Sequence, residues 1–176
     1  MCIQSGPSRQ TSMPKKRVLL VDDNSAVRSL VRRLFELEPD FEISGEAEDG
    51  RDAIEKAENL KPDLIILDLS MPVMTGLDAA PLLRKLLPSA RIILFTVQEG
   101  REIERLARAA GANSVVSKHQ AASKLILQAQ ALLASIEQEH DPAKLPDASK
   151  GLDTPVAGKR SSKLTHVRVA RKSKSE

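Results

Sequence analysis

Pro62-Asp63-Leu64-Ile65-Ile66-Leu67-Asp68-Leu69-Ser70-Met71-Pro72-Val73-Met74-Thr75-Gly76 is the stretch on which the reading of this chain turns. Leu64 to Leu67 form an unbroken apolar run of strand length, bounded by Pro62 and by the loop formers Ser70, Pro72 and Gly76. A strand with one wet face alternates apolar and polar residues. A run without alternation suits a strand covered on both faces, as in the middle of a parallel sheet. It ends in a carboxylate, Asp68, and then a turn. Open parallel sheets bind ligands in the crevice at the carboxyl ends of their strands, so Asp68 stands where chemistry is expected.

Working outward, Val18-Leu19-Leu20-Val21 is a second run of this kind, ending in Asp22-Asp23-Asn24. Ile92-Ile93-Leu94-Phe95 is a third, ending in Thr96, and the short Ser114-Val115-Val116-Ser117 ends in Lys118. Phe41-Glu42-Ile43-Ser44-Gly45 alternates instead, as an edge strand with one solvated side does. Helical patterns fill the gaps. After Asn24 or Ser25 as a cap, Val27, Leu30, Val31 and Leu34 share a stripe and Arg28, Arg32 and Arg33 take the wet face. Ala53, Ile54, Ala57 and Leu60 align after the Asp49-Gly50 turn. The helix from about Leu77 to Leu87 carries Leu82, Leu83, Leu86 and Leu87; Pro81 is expected in its first turn, where a missing N–H costs little. Ile103, Leu106, Ala107 and Ala110 form a further stripe, closed by Gly111 as C-cap. A last helix, about Ala121 to Glu139, aligns Ala122, Leu125, Ile126, Ala129, Leu132, Leu133 and Ile136. Strand and helix alternate five times with short links, which predicts one doubly wound α/β domain, a parallel sheet with helices on both faces.

Composition narrows the function. The 176 residues suffice for one domain with loose ends, and 41% apolar residues can build a core. Three Phe, no Tyr and no Trp leave no stacking platform for single-stranded nucleic acid. Cys2 alone supports neither a disulfide framework nor a metal cluster. The net charge of +3 hides a division: residues 17–140 hold 15 Lys/Arg against 20 Asp/Glu, whereas 141–176 hold nine against four. The expected organisation is therefore a disordered lead-in over 1–16, an acidic domain over 17–140 and a disordered basic tail over 141–176. Met13 offers a second possible start. No stretch has the apolar length of a membrane span or the form of a signal peptide, which predicts a cytoplasmic protein without membrane contact.

The strand ends hold the chemistry. Asp22, Asp23 and Asp68 in one crevice would repel one another unless a cation joined them, and oxygen-only ligands favour a hard ion such as Mg²⁺. Lys118 and Thr96 opposite them make a pocket suited to a phosphoryl group, with Asp68 as the nucleophile. Each residue alone has a blander reading. Asp22 and Asp23 suit a helix-capping turn, Thr96 a strand-end hydroxyl, and Lys118 a solvated lysine. Their joint placement around a central carboxylate argues against coincidence. His119, His140 and His166 read as surface or tail, Asp63 as the start of a strand, Met71 and Met74 as loop packing, and Phe35, Phe41 and Phe95 as core.

This arrangement resembles the receiver domain of two-component response regulators, the CheY-like family. The matching segments are residues 18–24, residues 62–76, Thr96, and Gly111-Ala112 ahead of Lys118, within roughly residues 17 to 138. The resemblance implies a flavodoxin-like sheet of order 2-1-3-4-5 and a phosphoacceptor rather than a turnover enzyme. It implies that Asp68 takes phosphate from a sensor histidine kinase or a phosphotransfer protein. Asp23, Asp68 and the backbone carbonyl of Ser70 would hold Mg²⁺, with Asp22 acting through water; Lys118 would contact the phosphoryl group and Thr96 would move toward it. A downstream protein would read the surface near Val115. Three positions depart from the family. Val115 stands where Tyr or Phe is common, His119 where a cis Pro is usual, and Val97 where a small residue is usual. Val97 is expected to shield the phosphoryl group. Two rival readings keep the fold: an interaction module that needs no phosphorylation, and a regulator that binds nucleic acid through the basic tail. A hydrolase is disfavoured because Ser70, not a base, stands two residues beyond Asp68, and a nucleotide site because no Gly-rich loop follows the first strand.

Overall fold

The computed structural model describes residues 14–120 and 122–139. Among them five parallel strands alternate with five helices. In chain order these are β1 (Lys16–Val21), α1 (Ser25–Glu36), β2 (Phe41–Ala47), α2 (Gly50–Leu60), β3 (Leu64–Leu67), α3 (Gly76–Leu86), β4 (Arg91–Thr96), α4 (Arg101–Ala109), β5 (Ser114–Ser117) and α5 (Ala122–Glu139). The sheet order is β2-β1-β3-β4-β5, as the resemblance implies. β1 takes in Lys16, the last residue assigned to the lead-in. The rest of that lead-in up to residue 13, and the basic tail with His140 and His166, lie outside the described residues.

The unbroken apolar runs have a simple cause: the sheet separates two cores. Leu19 and Val21 of β1, Ile65 and Leu67 of β3, and Ile92 and Leu94 of β4 point to one side, against Ala53 and Ala57 of α2, Ala79 and Leu83 of α3, and Ala107 of α4. Val18, Leu20, Leu64, Ile66 and Ile93 point to the other, against Val31 and Phe35 of α1 and Leu125, Ala129 and Leu133 of α5. Successive side chains of a strand point to opposite faces, so a strand with two covered faces must be apolar throughout. Phe35 and Phe41 meet edge to face in the second core, their ring centroids 5.1 Å apart.

β2 is an edge strand, but its alternation is broken. Its pairing with β1 steps from Val18↔Ile43 to Leu19↔Gly45, passing over Ser44, whose hydroxyl donates to the Val18 carbonyl at 3.1 Å. This bulge turns the strand over, so that Phe41 enters the second core and Ala47 the first.

Helix ends follow their capping residues. Asn24 accepts from the N–H groups of Ala26 and Val27, and Asp49 from those of Arg51 and Asp52. Gly111, at φ 89°, closes α4: its N–H donates to the Arg108 carbonyl and that of Ala112 to the Ala107 carbonyl, a paired C-terminal motif. Three expectations are corrected. Pro81 sits in the second turn of α3, which begins at Gly76; its ring is exposed, and it leaves the Leu77 carbonyl without its helical partner. On α1, Leu30 is 57% exposed while Arg28 is only 8% exposed. The buried stripe is Arg28, Val31 and Phe35, because Arg28 finds polar partners inside. Leu82 of α3 is also exposed rather than core.

Candidate functional site

The parallel register brings the carboxyl ends of β1, β3, β4 and β5 to one edge of the sheet. Val21 pairs with Leu67, so Asp22 and Asp68 leave adjacent strands side by side. The N–H of Asp68 donates to the Val21 carbonyl at 2.8 Å and that of Asp22 to the Ala47 carbonyl at 3.1 Å. Both residues are buried, at 5% exposure each, while Asp23 is exposed. Carboxylate oxygens of Asp22, Asp23 and Asp68 lie within 4.8 Å of one another.

Lys118 follows β5 and crosses β4 to reach this cluster. Its Nζ stands 2.6 Å from Asp22 Oδ2 and 2.8 Å from Asp68 Oδ1. Its own N–H donates to the Thr96 carbonyl at 2.8 Å. Nζ also lies 5.8 Å from the centre of the Phe95 ring, within range of a cation–π contact. Burial works against the Lys118 charge, but the hydrogen bonds to Asp22 and Asp68 outweigh it and hold the ammonium above its ordinary range. Burial pushes the Asp68 carboxyl up; Lys118 pulls it down only in part, and the Asp22 charge adds to the rise. One ammonium therefore does not satisfy two buried carboxylates. A further cation fits this donor set: hard oxygens only, with the exposed Asp23 leaving an open side for water ligands.

The loops are tied around the cluster. The N–H of Ser70 donates to Asp68 Oδ2 at 3.1 Å, and that of Gly76 to the Leu69 carbonyl at 3.0 Å. A Cβ on Gly76 would fall 2.0 Å from the Asp68 carbonyl oxygen, so only glycine lets the chain pass. Thr96 is fully buried, and its hydroxyl accepts from the N–H of Gln98 at 3.1 Å. The Gln98 side chain donates to Ser70 Oγ at 3.1 Å, and Ser117 Oγ bonds Glu99. The segment after β4 is thus held from both sides.

Asp22, Asp23, Asp68, Lys118 and Thr96 all stand at the edge where the sequence places them. Met71 is buried and Met74 packs on the core; His119 is exposed. Asp63 does more than begin β3. Its carboxylate accepts from the Arg17 N–H at 2.7 Å and its carbonyl from the Arg91 N–H at 2.9 Å, joining three strands. Sequence reasoning put Arg28 on the wet face and missed its buried place beside the site. The available signal was its place one and two turns before Val31 and Phe35, on their stripe.

The comparisons with known proteins agree with this geometry. A family model described as response regulator receiver domain matches residues 18–130. The chain belongs to the response regulator receiver domain family. Receiver domains of this family act in two-component signalling as phosphoacceptors, and Mg²⁺ binding and aspartate phosphorylation are general features of them. Among curated relatives, the nitrate/nitrite response regulator protein NarL of Escherichia coli K12 is 38% identical, over 65% of this chain and 58% of that one. A protein-glutamate methylesterase/protein-glutamine glutaminase of Maricaulis maris is 43% identical, over 60% of this chain. This receiver chain spans 27% to 58% of the length of these two relatives. Among solved structures, a two-component response regulator of the LuxR family from Aurantimonas sp. SI85-9A1 superposes with a TM-score of 0.66 at 33% identity, covering 69% of this chain and 86% of that one. No helix among the described residues is long and apolar enough to cross a membrane.

Proposed function

We propose that Asp68 is the phosphoacceptor of this receiver, and that its donor is a sensor histidine kinase or a phosphotransfer protein. A carboxylate oxygen of Asp68 attacks phosphorus as the P–N bond of the donor phosphohistidine breaks, and the imidazole leaves with the bonding pair. Asp23, Asp68 and the backbone carbonyl of Ser70 would hold Mg²⁺, with Asp22 acting through water, and the ion would supply positive charge for the phosphoryl oxygens. Lys118 shares that task by turning from Asp22 and Asp68 to the new dianion, and the Thr96 hydroxyl donates to it. Asp68 modifies itself and turns over no substrate. The receiver unit is taken as residues 17–140, in the cytoplasm.

The observation that carries this reading is Lys118, seated between Asp22 and Asp68 at 2.6 and 2.8 Å, a cation already placed where phosphoryl charge would arise. Incubation with acetyl phosphate and Mg²⁺, followed by intact mass, tests it. The wild type should gain one phosphoryl group, and Asp68→Asn or omission of Mg²⁺ should abolish the gain. A wild type that stays unmodified refutes the assignment. A downstream protein is taken to read the surface near Val115, where an open cavity of about 290 Å³ lies among Glu104, Ala107, Arg108, Val115 and Gln128.

A further inference from the structure

We propose that Arg28 is a positioning residue for the acidic cluster: its guanidinium fixes the peptide that links Asp22 to Asp23 and thereby sets the affinity of the site for Mg²⁺. This rests on the metal assignment proposed above. Arg28 lies on α1 with only 8% of its surface exposed. Its Nη1 donates to the Asp22 carbonyl at 2.6 Å, its Nε to Glu46 Oε2 at 3.1 Å, and its Nη2 to Glu48 Oε1 at 3.0 Å. A guanidinium is a rigid fork. Three acceptors at three of its nitrogens leave it no freedom to rotate.

The carbonyl it holds belongs to the peptide between the two acids. The peptide before it is fixed, since the Asp22 N–H donates to the Ala47 carbonyl at 3.1 Å, and the Asp22 side chain is tied through Oδ1 to the Asn24 N–H at 3.0 Å, but the peptide between the acids is held at its carbonyl, by Arg28. Without Arg28 the carbonyl side is unrestrained, and the peptide plane can rotate. Asp22 and Asp23 would then leave the chain in different directions, and the oxygens now within 4.8 Å would spread. Groups that orient metal ligands without touching the metal commonly alter affinity by about 10- to 100-fold when removed.

Charge and geometry predict opposite signs, which makes the idea testable. As a mere cation near a cation site, Arg28 would weaken Mg²⁺ binding, and its removal would tighten it. As a positioning residue, its removal weakens binding. Arg28→Met keeps an unbranched stem in the buried channel. Glu46 keeps Arg32, at 2.7 Å, and Glu48 is already 73% exposed, so neither is stranded.

The experiment is isothermal titration of the full chain with MgCl₂ alone, for wild type, Arg28→Met, Arg28→Lys and Phe35→Leu, with thermal melts in EDTA alongside. Phe35 is fully buried on the same helix and touches no acid of the cluster, so its variant reports plain destabilisation. Arg28→Met should bind about tenfold more weakly, while Phe35→Leu keeps wild-type affinity despite a lower melting temperature. Arg28→Lys keeps the charge but cannot reach all three acceptors, and should lose at least about threefold. Either Arg28 variant binding as tightly as wild type, or more tightly, overturns the proposal. Should Arg28→Met fail to fold, Arg28→Lys decides by the same criterion. A wild type that takes up no Mg²⁺ refutes the metal assignment instead, which a loss confined to the Arg28 variants would not.

Discussion

Replacing Asp68 by Asn should make the metal-free protein more stable, although it removes an ion pair. Asp68 is 5% exposed and faces Asp22 across a single ammonium. Burial, then the Asp22 charge, raises its carboxyl above the ordinary value, and Lys118 does not cancel the rise. The folded chain therefore holds this proton more tightly than the unfolded chain. Its contribution favours folding at acid pH and is lost as pH rises through the folded value, so near neutrality the ionised Asp68 opposes folding. Asn fits the same space without the charge, and Lys118 keeps Asp22 at 2.6 Å. An under-solvated buried group costs roughly 1–3 kcal/mol. Because the lost Lys118 bond offsets part of this, about 1 kcal/mol of net stabilisation is expected, or ~4 °C in Tm. Calorimetry in EDTA near neutral pH should show it, and the gap should close in acid, where wild-type Asp68 is neutral as well. Saturating Mg²⁺ should raise the wild type far more than the variant, since a ligand stabilises only the state that binds it. An Asn variant less stable than wild type in EDTA would refute the argument that burial and repulsion outweigh the Lys118 pair.

Three further outcomes are expected. Lys118→Met leaves Asp22 and Asp68 buried without their counter-charge and should lose roughly 3–5 kcal/mol near neutrality, less in acid; equal losses at both pH values in urea titrations would count against it. Val73 has φ 63°, a conformation costly for a β-branched residue, and its neighbours close a three-residue turn through Met74 N–H to the Pro72 carbonyl at 2.6 Å. Since Val73 is 76% exposed, Val73→Asn should gain about 1 kcal/mol, measured by denaturant midpoint; an unchanged midpoint would show the turn to be unstrained. Val97, 54% exposed beside Thr96, should slow attack by water on the phosphorylated protein, so Val97→Ala should shed phosphate severalfold faster in a time course read by mass; an equal lifetime ends that idea.

What the sequence revealed and what it hid follow one rule: hydropathy reports environment, not partners. The runs at 18–21, 64–67 and 92–95 were legible because two covered faces demand apolar residues at every position. The strand-end acids, Thr96 and Lys118 were legible because a strand end marks the crevice. Arg28 was read as solvated because its charge says nothing of Glu46, Glu48 and the Asp22 carbonyl, which come from β2, the loop after it and the loop after β1. Leu30 was read as buried because a 3.6-residue period fixes a stripe's direction only to within one position. The register step at Ser44 was invisible, since a bulge adds a residue without altering composition.

A sheet that keeps two oily compartments apart also divides the consequences of mutation. A void opened beside Phe35 can be filled only by its neighbours around α1 and α5, while the packing of α2, α3 and α4 behind the strands stays as it was. The face holding α4 can thus drift to suit new customers without disturbing the opposite half, which lets one scaffold be retailored piecemeal.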